Sequence, residues 1–247
     1  MSRMHPEGCV RLDVLLRRWG IAGKQEIREL AAQGRITVGG QVVTDAAWDC
    51  VPDSVITLDG RVLQPKEPLT LMMNKPAGTV CVSGVSPYLS VFSLLSGDAA
   101  DCALFAIGRL DADTEGLLLL SNDGALCDRI ARPEQALEKT YQVTFDRPLI
   151  PDASERLKTG ILLPNGTQCR PARLMLTGTQ SALITVTEGK YHEVKRLIRA
   201  CGARVASLRR ISIGGLTLDP GLPLGGYRPL RPEEIVSIFE KQFSHAE

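Results

Sequence analysis

Apolar residues near the N-terminus recur at helical intervals in two short stretches. We expect amphipathic helices over residues 11–19 and 24–33, the second ended by Gly34. Strand-like residues on both sides of Gly39-Gly40 then predict a tight β-hairpin, and Val55–Leu58 predicts a further strand. Two helices followed by a small sheet would form one compact unit. The apolar helix positions are Leu12, Leu15, Leu16 and Trp19 in the first stretch, and Ile27 and Leu30 in the second.

A short segment with two prolines and two charges, Gln64–Pro68, predicts a linker after this unit. We therefore divide the chain into residues 1–64, which include a short disordered lead over residues 1–10, and residues 65–247. In the longer part, strand-like and helix-like stretches are mixed, which favours an α+β domain with a mainly antiparallel sheet. Strands are predicted at residues 71–73, 79–82, 117–120, 141–145 and 181–186, and helices at residues 125–131, 152–158 and 193–201.

Composition bounds the size of the protein and the way in which it could bind nucleic acid. A chain of 247 residues, 44% of them hydrophobic, is long enough for two modest domains with cores of their own. The formal net charge is only +1 and the sequence pI is about 7.6. Because a general basic excess is absent, any binding of nucleic acid must use local basic patches.

The seven cysteines indicate a reducing compartment. Their number is odd and the sequence contains no Cys-x-x-Cys pair, which argues against a disulfide framework and against a zinc site. No signal peptide opens the chain, and no apolar run approaches the roughly 18 residues typical of a membrane span. We expect a soluble, cytoplasmic monomer without a membrane partner.

An acidic loop, Gly108–Gly116, leads directly into the apolar run of residues 117–120. Asp111, Asp113 and Glu115 match the first, third and fifth positions of an EF-hand calcium loop, with Gly116 at its glycine position. The twelfth position, however, is Asn122 instead of a bidentate glutamate. A single catalytic aspartate with a basic partner would also explain the loop, and for an isolated motif a plain surface turn is the commoner case.

Four segments in order resolve this ambiguity by resemblance. Gly108–Gly116 resembles the aspartate motif of pseudouridine synthases, in the form used by the RsuA family. Asn74–Gly78, Glu138–Val143 and Glu188–Arg196 match further motifs of that family, and the resemblance extends from about Arg11 to about Ile238. It implies the catalytic fold of pseudouridine synthases, with the active cleft across the sheet, and a reaction that needs neither cofactor nor metal.

The resemblance also implies the roles of three residues. Asp111 takes the place of the catalytic carboxylate, as nucleophile or as base. Lys195 is implied as the cation that keeps it ionised, and Tyr141 as the aromatic ring that stacks on the flipped base. Asp113 and Glu115 do not match the catalytic position. His192 has no catalytic part in the family, so we interpret it as structural or as an RNA contact.

Residues 11–60 resemble the alpha-L (S-four-type) RNA-binding module, although Gly23-Lys24 stands where many copies carry Ser-Arg. We therefore expect residues 1–64 to bind RNA beside the catalytic domain of residues 65–247. The same basic residues would also suit an ordinary solvated helix face. The predicted RNA contacts are Arg11, Arg17, Arg18, Lys24, Arg28 and Arg35 in this module, and Lys75, Arg109, Lys190, Arg196 and Arg199 in the catalytic domain.

The expected substrate is a uridine of small-subunit (16S) ribosomal RNA, free or in an assembling subunit particle. Within the family, Ile213–Asp219 and Gly225–Leu230 resemble the members that act on this RNA. One alternative is a related enzyme for large-subunit (23S) ribosomal RNA. An alternative of another class is a catalytically silent RNA-binding protein, against which the presence of Asp111, Tyr141 and Lys195 argues.

Overall fold

The structure is a computed structural model that describes residues 9–65, 67–82 and 86–240, without the side chain of Asp101. Residues 1–8 of the predicted lead and Lys66 of the predicted linker lie outside the described residues. The chain folds into two compact units. The first contains the chain up to Thr70 together with Ser96–Phe105 and Leu120–Asp128, and the second contains Leu71–Leu95, Ala106–Leu119 and the chain from Arg129 onward.

The helices and strands are numbered along the chain. The strands are β1 Val10–Arg11, β2 Ile36–Val38, β3 Gln41–Val43, β4 Asp49–Cys50, β5 Ile56–Leu58, β6 Arg61–Val62, β7 Thr70–Lys75, β8 Thr79–Val80, β9 Leu89–Ser90, β10 Phe105–Ile107, β11 Glu115–Ser121, β12 Lys139–Phe145, β13 Arg173–Gly178, β14 Ser181–Val186, β15 Val205–Ile213, β16 Leu216–Thr217 and β17 Tyr227–Pro229. The helices are α1 Leu12–Arg18, α2 Lys24–Ala32, α3 Asp98–Asp101, α4 Gly124–Ala131, α5 Ala153–Lys158, α6 Glu193–Ala200 and α7 Pro232–Ser237, with 3₁₀ turns at Val91–Leu94 and Pro133–Gln135.

The first unit packs α1 and α2 on a four-stranded antiparallel sheet in the order β3-β2-β5-β6. The helical periodicity seen in the sequence buries Leu12 and Ile27, which meet Ile36 and Ile56 of the sheet in one core. The predicted hairpin is present, and Gly39 and Gly40 at its turn both have positive φ angles (57° and 84°). Such turns favour glycine because other L-residues are strained there.

The second unit is built on a nine-stranded sheet in the order β13-β14-β12-β15-β11-β7-β17, with β10 beside β11 and β16 beside β15. The β12–β14, β12–β15 and β13–β14 pairs are antiparallel, and β11 runs parallel to β15. This arrangement confirms the predicted α+β class with a mainly antiparallel sheet. The apolar run Leu117–Leu120 is the interior of β11 and is fully buried, as its length and its turn signal predict.

Gly116 has a specific reason to be glycine. Its φ angle is +99°, and a Cβ at this position would collide with the carbonyl oxygen of Arg210 on the parallel strand β15. The close approach of two backbones therefore accounts for the residue that the calcium interpretation assigned to a metal loop. No helix within the described ranges has the length and apolar character that a membrane span requires.

Candidate active site

The acidic loop leaves β10 at Ile107 and enters β11 at Glu115, so the sheet fixes both of its ends. Within the loop, the Thr114 amide donates to the Asp111 carbonyl at 3.1 Å, which closes a tight turn. The Asp111 side chain is 31% exposed and lines two adjoining cavities, of about 70 and 370 Å³, which together form one cleft. The loop thus presents one half-buried carboxylate to a cavity.

Lys195 provides the basic partner. Val194, Leu197 and Ile198 of α6 are buried, and Lys195 therefore lies off the packed face, as the helical spacing predicts. Its Nζ atom lies 2.8 Å from Oδ2 of Asp111 and 2.5 Å from Oδ1 of Asp113. Burial alone would lower the pKa of Lys195, but its hydrogen bonds to the two aspartates outweigh burial and raise it. A protonated ammonium thus lies where the calcium interpretation would have put a metal ion.

Asp111 and Asp113 share this lysine but differ in their surroundings. The Asp113 side chain is 73% exposed, against 31% for Asp111. Burial opposes the ionisation of Asp113, but the hydrogen bond from Lys195 lowers its pKa. Asp111 alone of the two lines the cleft beside Tyr141. From the sequence we did not predict that Asp113 shares Lys195 with Asp111, because Asp113 does not match the catalytic position.

Tyr141 forms a wall of the same cleft. It lies in β12, where it pairs with Ile184 of β14 on one side and with Arg210 of β15 on the other. Its side chain is 9% exposed, and the Arg210 guanidinium lies 6.0 Å from the centre of its ring. Because the strand that carries it is paired on both sides, the ring offers a fixed apolar surface to whatever enters the cleft.

Two aromatic residues before α6 complete the cleft. The rings of Tyr191 and His192 are stacked, with centroids 3.8 Å apart, and Nε2 of His192 lies 3.5 Å from Oδ1 of Asp111. His192 has a φ angle of +51°, in the left-handed region, and Tyr191 is 75% exposed. We did not single out Tyr191 in the sequence, although an aromatic residue within a basic motif is a signal for base stacking.

The prediction that Lys75 contacts RNA is wrong. Lys75 lies in β7, is fully buried, and donates from Nζ to the carbonyls of Pro76 and Thr114 at 3.1 and 2.9 Å. A third contact, of 3.5 Å, reaches the carbonyl of Ala112. Because these carbonyls belong partly to the loop that carries Asp111, the ammonium holds the loop and does not face solvent.

Arg210 also has an internal role that the sequence did not reveal. The many basic residues between Lys190 and Arg210 would suit a phosphate backbone, but Arg210 itself is 1% exposed. Its guanidinium donates to the carbonyls of Leu117 and Gly108 at 2.8 and 2.7 Å. It therefore fixes the beginning of the acidic loop, in addition to lying beside Tyr141.

The other predicted RNA contacts are at least partly accessible. In the second unit, Arg109 and Arg199 are exposed, whereas Lys190 pairs with Glu188 at 2.8 Å and Arg196 donates to Asn165 and Thr167. In the first unit, three basic residues are engaged by acids: Arg11 by Asp13, Arg17 by Asp128 and Arg35 by Asp59. Arg18, Lys24 and Arg28 are exposed on the two helices.

One cluster among the described residues brings metal-ligand atoms together: Cys169, Glu188 and Glu193, within 4.8 Å of one another. Burial raises the pKa of the Cys169 thiol. Burial and the neighbouring Glu188 raise the pKa of Glu193 to about 8. For Glu188, hydrogen bonds from Glu193 and Lys190 overcome the effect of burial and lower the pKa. Two protonated groups and a carboxylate paired with Lys190 are poor metal ligands, since a metal requires deprotonated ones.

We expect Glu193→Gln to gain stability relative to the wild type as the pH rises. Folding raises the pKa of Glu193 from 4.5 to about 8, so the stability that its protonated form contributes is complete below about pH 4.5 and lost as the pH rises through about 8. The glutamine side chain of the variant has no proton to lose over this range, so its contribution to stability does not change with pH. Melting temperatures of both proteins at about pH 5.5 and about pH 8.5 test this linkage. A difference between the two proteins that does not change with pH would contradict it.

Comparison with known proteins finds two matched segments that follow each other along the chain. Residues 70–200 match the RNA pseudouridylate synthase family, and residues 10–56 match the S4 domain. A solved structure described as a pseudouridylate synthase superimposes with a TM-score of 0.71 at 32% identity, over 93% of this chain and 99% of that one. Residues 57–69 lie between the two matched segments. The domain boundary that we predict after residue 64 falls within this interval and stays a prediction.

Characterised and uncharacterised relatives align over nearly the whole length. The ribosomal small subunit pseudouridine synthase A of Yersinia pestis is 39% identical over 93% of this chain and 98% of its own. The protein of the same name from Escherichia coli is 38% identical over 93% of this chain and all of its own. The uncharacterized RNA pseudouridine synthase YtzG of Bacillus subtilis is 35% identical over 94% of this chain.

Proposed function

This chain belongs to the RNA pseudouridylate synthase family, and we propose that it converts one uridine of small-subunit (16S-type) ribosomal RNA to pseudouridine. The observation that carries the proposal is the Asp111–Lys195 pair at a cleft whose wall contains Tyr141. Two relatives named for the small ribosomal subunit, which align over almost their full length, support the choice of RNA.

The reaction is an isomerisation. The bond between ribose C1′ and uracil N1 breaks, the uracil turns, and a new bond forms between C1′ and C5, after which C5 loses its proton and N1 gains one. Nothing is oxidised or reduced, and no group enters from outside, so side chains suffice. Asp111 acts on the sugar, as nucleophile or as base, and Lys195 favours its ionised form.

The cleft suits a base that has left its helix. A uridine inside a paired or stacked RNA cannot present C1′ to a side chain, so it must be flipped out. The Tyr141 ring supplies a face on which the flipped uracil stacks, and Arg109 at the mouth of the cleft carries a charge for its phosphate. Tyr191, which is exposed and also lines the cleft, offers a second aromatic surface to the RNA.

Mapping of pseudouridines tests the choice of target. Ribosomal RNA from a strain that lacks the gene should lose one pseudouridine in the small subunit, and the purified protein should restore it in vitro. Loss of a site in large-subunit RNA instead would establish the first alternative. No change at any uridine, with RNA binding intact, would favour the catalytically silent RNA-binding protein.

We further propose that the first unit binds RNA through Arg18, Lys24 and Arg28. Their joint replacement by glutamine should weaken binding and lower the slope of log K against log salt by about 0.7–0.9 for each lost phosphate contact. A salt titration on one RNA fragment measures this. The matched control replaces Arg147, Lys158 and Arg231, which are 65%, 57% and 74% exposed. Equal slopes for the two triple variants would exclude these phosphate contacts.

We also propose that the protein acts as a monomer in the cytoplasm. Asp111, Tyr141 and Lys195 all reach the cleft from one chain, so the site needs no residue of a second copy. The described cysteines are free thiols, which agrees with a reducing compartment. Light scattering on the purified protein tests the monomer, and fractionation of cells tests its location.

A further inference from the structure

A second cavity lies directly beside the catalytic cleft in the second unit. Its volume is about 380 Å³, and Gly108, Lys139, Gly189 and Lys190 line both cavities. The two are therefore separated by little more than the backbone of two glycines and two lysine side chains. We call the second cavity the flanking pocket; its apolar floor consists of Ile107, Ile130, Leu137 and Ile213.

The rim of the flanking pocket is basic. Arg132 is exposed, the Arg170 side chain is 49% exposed, and both line the pocket with Lys139 and Lys190. The one acidic residue in the lining, Glu188, is paired with Lys190 at 2.8 Å and lies 3.9 Å from Nε of Arg170, so the four basic residues outnumber it. An apolar floor under a positive rim complements a ligand that has a flat, weakly polar ring joined to an anion. A nucleotide has this composition.

We propose that the flanking pocket holds the base of the nucleotide next to the target uridine, with the phosphate facing Arg132 and Arg170. The inference rests on the proposed function. When a uridine is flipped into the cleft, its neighbour loses a stacking partner. That neighbour is joined to the uridine through one phosphate, so it must lie close to the cleft. The flanking pocket offers it an apolar surface on the other side of the residues that line both cavities. The pocket therefore increases the affinity for the RNA and helps to position the target uridine in the cleft.

A substitution that fills the pocket tests this role without touching Asp111, Tyr141 or Lys195. Ala131 is exposed at the end of α4 and lines the pocket, so Ala131→Trp should fill it from the surface. Ala125→Trp is the matched control, because Ala125 is exposed on the same helix outside the lining. Ala131→Phe is a smaller second probe. The melting temperatures of the three variants are measured to check that each one folds.

The substrates are an RNA fragment that the wild type modifies and two versions of it, each lacking the base on one side of the target uridine. For wild type, loss of one of the two bases should lower kcat/KM by about 5- to 150-fold, the equivalent of about 1–3 kcal/mol for one stacked base. Ala131→Trp should show a comparable loss on intact RNA and little further loss on that abasic RNA. Ala125→Trp should behave as wild type on all three.

Non-additivity between the protein change and the missing base is the decisive result, because a double-mutant cycle isolates their interaction. Additive losses, or no loss with either abasic RNA, would overturn the flanking pocket while the enzyme remains active on the intact fragment. If the wild type forms pseudouridine in no ribosomal RNA fragment, the proposed function itself fails, and the flanking pocket with it. The two failures are thus distinguishable.

Discussion

Asp111→Asn should reduce pseudouridine formation by about 10³-fold or more while RNA affinity changes little. The amide has nearly the size of the carboxylate and fits the same turn, but it can act neither as a nucleophile nor as a base. Its carbonyl oxygen can still accept the hydrogen bond from Lys195, which lies 2.8 Å from Asp111. The loss is therefore chemical, and single-turnover rates with saturating enzyme measure it separately from binding.

Asp113→Asn is the matched control for this prediction. Asp113 lies in the same loop and contacts the same ammonium at 2.5 Å, but its side chain is 73% exposed and lies outside the lining of the cleft. We expect this variant to keep most of the wild-type rate, since Asp111 retains Lys195. Substantial turnover by Asp111→Asn, or an equal loss in both variants, would refute the assignment of Asp111.

Sequence patterns predicted the structure well where the residues of a single helix or strand determine which of its faces is buried. The run Leu117–Leu120 is apolar on both faces, and a strand in the interior of a sheet needs that composition. The spacing of Val194, Leu197 and Ile198 fixes which face of α6 is buried, and hence which way Lys195 points. The ordered motifs then predict the catalytic role of Asp111, because they compare this loop with others of known chemistry.

The sequence did not reveal the buried charges. A lysine in a strand is ordinarily a surface residue, and the periodicity of β7 gives no indication that the Lys75 ammonium is inside. Its partners, the carbonyls of Ala112 and Thr114, lie nearly forty residues further along the chain, at separations of 37 and 39. Arg210 is similar, with separations of 93 and 102 to its carbonyl acceptors. Contacts that distant are fixed by the order of strands in the sheet, which composition and spacing do not determine.

The division into compact units was also invisible in the sequence order. Asn122, in the turn after β11, accepts from the Leu69 amide at 2.7 Å and donates to the Glu67 carbonyl at 3.0 Å. These contacts fasten the end of the predicted linker and the residue after it to a stretch more than fifty residues away, at separations of 53 and 55. A linker recognised by its prolines marks where regular structure pauses, but it does not determine which later segments pack on the N-terminal unit.

Lys195→Met should lower kcat by about 10- to 1,000-fold and should give a pH profile different from that of the wild type. Methionine keeps most of the length of the side chain and can pack against α6, but it removes the one ammonium that contacts both Asp111 and Asp113. Asp111 and Asp113 then lie near each other without the ammonium that they shared. Like charges at short range and the missing cation both favour protonation of a carboxyl group, so fewer molecules hold the reactive carboxylate at a given pH.

The direction of the pH effect follows from this argument. In the wild type, the hydrogen bond from Lys195 lowers the pKa of Asp113 against the effect of burial, so the ion pair is present at neutral pH and is lost only as the pH falls. Without Lys195, Asp111 and Asp113 are neighbouring carboxylates that repel each other, so both are ionised together only in a more alkaline solution, and the variant should recover part of its rate as the pH rises. Lys195→Arg keeps the charge and should retain the wild-type profile at a lower rate. Profiles of kcat against pH that run parallel for the wild type and Lys195→Met would show that Lys195 does not govern the ionisation of the reactive carboxylate.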